Sequence, residues 1–471
     1  MGRKTLCQSL FAAVLLIAQS GGQGGETILH SGLPVPARCR YLLLDDRLID
    51  RLDNARLALG SIKKHPANPL FREDKPWEPR FDNLYANVLY DEQDKLYKCW
   101  YSPFIVDKAA RETAQADRRR VPYRPGIREM GVCYAISKDG LAWEKPVLGL
   151  VEFQGSKANN LVVRGPHGAG VFRDDHDPDP QRRYKMFYQG MAVRFSPDGL
   201  NWSDAVPCRD IEARGDTHNN AFWSPELNKY VGITRLFFGQ RIVARSESPD
   251  FVHWLKAAEV LRGDKQNQTY AMPVFRYADV YLGLVMILSR KDDRVRCELT
   301  WSPDTVRWER IEPGKPLIPT SETQGVYDWG CVYAAAVPIP REGEVRFYYG
   351  GSNGSHGGWR DGFFCLATLR PDGFAGYEPV DLARPTAIVT RPVVCTGKPL
   401  QITADAAGGS VRVALLDANS RPLAVSEPIS GDVTDRPVGL PQDVMVAHTG
   451  KDVRLRIEIT RAKVYSFTFA D

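Results

Sequence analysis

The sequence has no CxxC pair and no dense cluster of cysteines, so no zinc site can be read from ligand spacing. It also lacks an excess of one charge. The 62 Lys and Arg nearly balance 57 Asp and Glu, and the net +5 is small for 471 residues, which argues against nucleic acid as a partner. No apolar run reaches the ~20 residues of a membrane-spanning helix. The most apolar stretch, FAAVLLIA from Phe11 to Ala18, follows Arg3 and Lys4 and ends at Ala18-Gln19-Ser20 before a Gly run. That is the pattern of a secretory signal peptide over residues 1–20, so a secreted or periplasmic protein with no membrane span after cleavage is expected. Cys7 precedes the apolar stretch and is not placed as a lipoprotein cysteine. The remaining cysteines are widely spread. Several lie in apolar runs, such as Cys99 in YKCWY and Cys365 in FFCLA, where a thiol behaves as a small buried hydrophobe. Disulfides are compatible with export, but the spacing sets no connectivity.

What is abundant is turn residues, 40 Gly and 33 Pro, between short apolar runs, which predicts many strands and few helices. One unit recurs. SKDGLAWEKP at Ser137 returns as SPDGLNWSDA at Ser196, SPDFVHWLKA at Ser248 and SPDTVRWERI at Ser302, with a fainter RPDGFAGYEP at Arg370. Trp143, Trp202, Trp254 and Trp308 fall 59, 52 and 54 residues apart, the period of a propeller blade, and Tyr377 is expected at the fifth place. A second signature keeps the same period: YKCWYS, YKMFYQG, YVGITR, YLGLVMILS and RFYYGGS, each preceded by another apolar run and a polar turn. Each unit therefore reads as strand A, polar turn, strand B, loop, strand C, Ser-x-Asp turn, strand D. The fold expected is all-β: a five-bladed β-propeller over residues 55–383 followed by a C-terminal β-sandwich over 384–471. ARLALGSIKKH resembles an outer strand, and the N-terminal segment 21–54 is expected to close the ring by pairing into the last blade.

Strand direction sorts the polar residues onto two ends. The acidic run Asp174, Asp175, His176, Asp177 and Asp179 falls in an A–B turn and reads as a solvated turn, where a structural calcium is the one ion to consider; no other metal or cofactor is expected. At the opposite end the A strands begin with Asp82 and Asn83, His167, Asp216 with His218 and Asn219, Gln268 with Tyr270, and Tyr327, Asp328 and Trp329. Two long B–C loops share that end: the arginine-rich residues 102–129, and residues 350–362 with His356, Trp359 and Arg360. Aromatics, fixed polar groups and arginines converging on one mouth suit a carbohydrate, and the arginines suit an anionic polysaccharide.

This layout, with NPLFREDKPWE from Asn68 and the appended sandwich, resembles glycoside hydrolases of families 43, 32, 62 and 130. The Ser-x-Asp-Gly-x-x-Trp turns resemble the Asp-boxes of sialidases, with one residue missing between Asp and Gly. The resemblance implies hydrolysis of a glycosidic bond in an extracellular poly- or oligosaccharide by carboxylates on inner strands, with Asp82 as ionised base or nucleophile and Asp216 as a second carboxylate. Neither the family 32 motif Trp-x-Asn-Asp-Pro-Asn-Gly nor a Glu at the start of the fourth A strand is present. The acid is therefore expected from Glu322 or Asp328, with Glu78 as a third carboxyl. Two other readings stand beside this one: a non-catalytic carbohydrate-binding propeller, and a sialidase-like enzyme needing three convergent arginines and a Tyr–Glu pair.

Overall fold

Apolar and aromatic runs between Gly-, Pro- and Asp-rich turns make short antiparallel strands along the chain, and half of it is strand against 5% helix, as expected of an all-β protein. A computed structural model describes residues 40–470 apart from Arg119 and Glu342. The expected signal segment, Cys7 and Cys39 lie outside the described residues. Among the described residues no helix is long and apolar enough to cross a membrane.

Arg80–Asp91, Leu96–Asp107, Arg128–Ser137 and Leu161–Arg164 form the first four-stranded antiparallel unit. Gly170–Arg173, Tyr184–Tyr188, Ala192–Ser196 and Val206–Pro207 form the second, and Asn220–Ser224, Lys229–Phe237, Arg241–Ser248 and Ala258–Arg262 the third. In the fourth, Val280–Ser289 lies between Asn267–Ala271 with Val274–Tyr277 on one side and Arg294–Ser302 on the other, with Glu309–Arg310 outermost. In the fifth, Glu344–Ser352 lies between Cys331–Ala334 with Ile339–Arg341 and Gly362–Leu369. The outer strand of the fifth unit comes from far upstream, as Lys63–Lys64 and Phe71–Arg72. The first four units contact one another through their inner strands, the fourth continues into the fifth through a parallel bridge between Val295 and Cys331, and the fifth packs back on Arg80–Asp91, so the contacts run in a ring.

The repeated turns are built alike. Asp139, Asp198, Asp250 and Asp304 each accept, on Oδ1, the N–H groups two and three residues on, at 2.8–2.9 Å. Trp143, Trp202, Trp254 and Trp308 each donate Nε1–H to the carbonyl three residues back, at 2.8–3.1 Å. That carbonyl belongs to a residue with φ between 67 and 78°, which is why Gly stands there in the first two turns; Phe251 and Thr305 adopt the same conformation. The fifth turn differs. Tyr377 does not take the tryptophan's place: it pairs with Leu57 and Val464 in the C-terminal sheet. The aromatic contact to the fourth unit is made by Phe374, packed on Phe275 and Tyr277 there and on Phe347 in its own unit.

The acidic run is indeed an A–B turn. Asp174 and Asp177 close on Lys185 Nζ at 2.7 and 2.9 Å, and Asp174 Oδ2 accepts from the Tyr230 hydroxyl at 2.6 Å. Lys98 does the same for Asp91 and Asp94 in the first unit, so the cation at this turn comes from the Lys of the Tyr-Lys pair that opens strand B. Among the described residues no group of three His, Cys, Asp or Glu is disposed to hold a metal ion.

In the last 90 or so residues, Leu400–Asp417 pairs with Lys463–Phe469 along its first half and with Asp452–Thr460 along its second. It turns between them at Gly408-Gly409, where a Cβ on Gly409 would lie 1.8 Å from the Thr460 carbonyl oxygen. The N-terminal strands join this sheet: Arg40–Leu42 on Lys463–Phe469, Ile49–Asp53 on Thr386–Thr390, and Ala55–Leu59 on Ala375–Pro379. Within ARLALGSIKKH it is Lys63–Lys64 that pairs into the last unit, whereas the described strands of the segment 21–54, Arg40–Leu42 and Ile49–Asp53, pair in the C-terminal sheet. The seven described cysteines are all free and buried.

Candidate functional site

The inner strand of the first unit does not start as regular β. Asp82, Leu84 and Tyr85 have φ of 56, 63 and 44°, and the register slips between Arg80 and Leu84 and again before Asn87. Such a bulge re-aims side chains at the end of a strand. It turns Asp82 toward Arg360, whose Nη2 donates to Asp82 Oδ1 at 2.7 Å and to Asn83 Oδ1 at 2.9 Å, while Arg80 Nε lies 3.6 Å from the same carboxylate. Burial alone would raise the Asp82 carboxyl, but Arg360 and then Arg80 outweigh it and hold the group far below the usual carboxylate range. Asn83 Nδ2 donates to the hydroxyls of Tyr85 at 2.6 Å and Tyr270 at 3.0 Å.

His356 hydrogen-bonds through Nδ1 with the Tyr333 hydroxyl at 3.1 Å and meets the Tyr270 ring edge-on. Burial, helped by Arg360, pushes its imidazole down to about 3, so it is neutral in ordinary buffers. His167 packs on Tyr85 and Phe104, and its buried Nε2 has no partner. Burial lowers it too, against the pull of Asp82 and Asp216.

Two clefts flank this cluster. One, of about 1020 Å³, is lined by Trp329, Trp359, Arg360 and Arg118. Trp359 is fixed there by its Nε1–H bond to the Val121 carbonyl and by Tyr123 and Arg118 against its ring, so the long loops 102–129 and 350–362 fold onto each other. The other, of about 960 Å³, is lined by Asp216, Arg235 and Arg241. Asp216 is half exposed and ion-paired with Arg235. Tyr270 joins the two sides: the guanidinium groups of Arg235 and Arg241 lie 5.3 and 5.1 Å from its ring centroid.

Asp82, Asn83, His167, Asp216, Tyr270, His356 and Arg360 are thus gathered, with Trp329 and Trp359 at the rim. Other expected residues are used differently. Asp328 is fully buried and takes Lys64 Nζ at 2.6 Å, the Tyr349 hydroxyl at 2.9 Å and the Ser321 hydroxyl; instead of facing substrate between Tyr327 and Trp329, it fastens the upstream outer strand. Glu78 is buried against Lys145 at 2.7 Å and the Tyr101 hydroxyl at 2.6 Å, which removes it from the binding surface. His218 and Asn219 do not serve Asp216. His218 Nε2 meets Asn87 Oδ1 at 3.1 Å, and burial pushes its imidazole down to about 3. Asn219 braces the carbonyls of Gly168 and Gly215. Glu322 is exposed, on the loop whose Gln324 and Gly325 line the first cleft.

Sequence reading missed Arg80, Tyr85, Arg235, Arg241 and Tyr333. Arg80 stands two residues before Asp82, and Arg235 is the last residue of the YVGITR run, so their positions were visible although their partners were not. Chemically, the cluster is an ionised carboxylate held by two guanidiniums, beside neutral imidazoles and tyrosine hydroxyls.

No family model matches the sequence, and no curated protein matches it. Among solved structures the chain is similar to glycoside hydrolases and other carbohydrate-active proteins at low identity. An N-acetylgalactosamine deacetylase from F. plautii, in complex with blood group B trisaccharide, is 14% identical over 66% of this chain and 96% of that one, with a TM-score of 0.45. A beta-1,2-mannobiose phosphorylase from Listeria innocua is 13% identical over 66% and 97%, with a TM-score of 0.46. A glycosyl hydrolase from Bacteroides ovatus is 13% identical over 66% and 94%, with a TM-score of 0.43.

Proposed function

We propose that the chain is an exported glycosidase, a five-bladed β-propeller with an appended β-sandwich, acting on an extracellular poly- or oligosaccharide at the mouth between the two clefts. The closed ring of five antiparallel units supports the propeller, and the two-way pairing of Leu400–Asp417 supports the sandwich. The observation that carries the function is Asp82. It is a largely buried carboxylate kept ionised by Arg360 and Arg80, walled by Tyr85, Tyr270, Tyr333 and His356, with two half-buried tryptophans, Trp329 and Trp359, lining the adjoining cleft for sugar rings to stack on. In this scheme Asp82 stabilises positive charge developing at the anomeric carbon or activates the attacking water. Asp216 orients the sugar, and Glu322 on the cleft rim delivers the proton to the leaving oxygen.

A non-catalytic carbohydrate-binding role is favoured by a separate observation: the carboxyls nearest Asp82 by sequence expectation are spent on cations, Asp216 on Arg235, Asp328 on Lys64 and Glu78 on Lys145. Reducing-end release from a panel of plant and algal polysaccharides separates the two. For a glycosidase, Asp82→Asn loses activity by about 10²–10⁴-fold or more while far-UV circular dichroism stays unchanged. Binding without release by the wild-type chain, or full activity in Asp82→Asn, overturns the catalytic assignment.

A further inference from the structure

We infer that the cleft beside Asp216 is a subsite for the acidic groups of an anionic glycan chain; this rests on the carbohydrate reading above and names its substrate class. The cleft is lined by Arg209, Arg214, Arg235 and Arg241, and it adjoins a second hollow of about 570 Å³ lined by Arg241, Lys265 and Arg290. Phe237 and Arg241 belong to both, so the two hollows form one basic track. Against these six cations the track has two carboxylates. Glu212 is paired outward with Lys256 at 2.5 Å, and Asp216 offsets Arg235. Among the described residues Arg209, Arg214, Arg241, Lys265 and Arg290 have no carboxylate within ion-pairing distance.

The charge is also preorganised. Arg235 is 8% exposed and Arg241 partly buried, both stacked on Tyr270, and Arg241 Nη1 is anchored to Gln268 Oε1 at 3.0 Å. Arg235 Nη1 and Arg241 Nε are buried and have no hydrogen-bond partner. Two guanidiniums held in place and lining one open cleft match a carboxylate or sulfate ester, which accepts paired N–H bonds. A neutral hydroxyl offers no charge to offset them. On the rim Phe237 and Phe238 are 65% and 66% exposed, and such rings suit the C–H faces of sugars rather than the core of this protein. A chain lying along the track would stack there, with its acidic groups reaching Arg235 and Arg241 and further groups reaching Lys265 and Arg290.

The test is affinity electrophoresis and calorimetry of the full chain with polygalacturonate as a carboxylated glycan, dextran sulfate as a sulfated one, unmodified dextran, and single-stranded DNA. The expected result is binding of at least one acidic glycan about tenfold or more tighter than dextran, weakening as salt is raised. Arg241→Gln with Arg290→Gln should reduce that affinity about tenfold or more with the far-UV circular dichroism spectrum unchanged. Which of the two acidic glycans binds tells carboxylate from sulfate. Equal binding of dextran, acidic-glycan binding unaffected by the double substitution, or DNA bound as tightly as the acidic glycan each overturns the inference, the last by marking the track as a general polyanion surface. Failure of the glycosidase reading looks different: the acidic glycan binds through Arg241 and Arg290 but is never cleaved. Cleavage of a neutral glycan without any acidic-glycan binding leaves glycosidase activity standing and removes this subsite.

Discussion

Glu73 sits behind the candidate site rather than in it. Its Oε1 accepts from the Phe81 N–H at 2.6 Å and the Gly362 N–H at 3.1 Å, so one side chain clamps the backbone beside Asp82 and the backbone two residues past Arg360. Burial pushes its carboxyl up to about 8, against those two bonds and Arg80, which favour the charged form. The folded state therefore holds this proton more tightly than the unfolded chain does. Its stabilising contribution is fully present below the ordinary value of 4.5 and is lost as pH rises through about 8. Thermal melts should show stability falling between those limits by a few kcal/mol at most, since each tenfold difference in proton affinity between the two states is worth ~1.4 kcal/mol. Glu73→Gln, which keeps the acceptor and cannot ionise, should flatten that slope; an unchanged pH profile would show that the group titrates normally.

The repeated turn joins local chemistry to packing between units. Gly199 has φ of 78°, and its carbonyl accepts from both Trp202 of its own turn, at 3.0 Å, and Trp100 of the preceding unit, at 2.6 Å. A Cβ there would lie 2.5 Å from Trp100 Cζ2. Gly190 has a similar φ of 83° but open space where its Cβ would be, so it isolates the conformational cost alone. Gly190→Ala should cost about 1–2 kcal/mol and Gly199→Ala a further ~1–3 kcal/mol from overpacking, read from urea denaturation. Equal costs would mean that Trp100 yields freely and that contact between units adds nothing at this point.

Across the whole molecule, the fifth turn has exchanged its capping role for a fastening one. Asp372 is fully buried and accepts from Tyr277 of the fourth unit at 2.8 Å, from Ser466 in the last strand, and from Arg40 in the first. It therefore ties the ring to the C-terminal sheet and to the N-terminal strand at once. Asp372→Ala leaves the Tyr277 and Ser466 hydroxyls without this acceptor and Arg40 with Asp435 alone, and should cost about 2–4 kcal/mol. Calorimetry should then show the C-terminal sheet melting ahead of the ring; a single transition at the wild-type temperature would mean that the fastening lies elsewhere.

The all-β class and the four Asp-x-x-x-Trp turns were legible in the sequence because each is decided within about ten residues. Alternation sets the strand, an Asp caps N–H groups two and three places on, and an indole reaches three places back. Strand direction also led to the expectation that Asp82, Asp216, His218, Asp328 and His356 share one end of the strands, and it is silent on which of them stay free to face a ligand. What the tertiary structure alone decided is the cation each buried carboxylate receives. Asp82 meets Arg360 278 residues away, Asp328 meets Lys64 on a strand returned from upstream, and Glu78 meets Lys145 67 residues on. A periodic pattern tells which residues face inward, but a carboxylate's role depends on the charge across from it, and that charge is chosen only when the ring closes and distant strands come side by side.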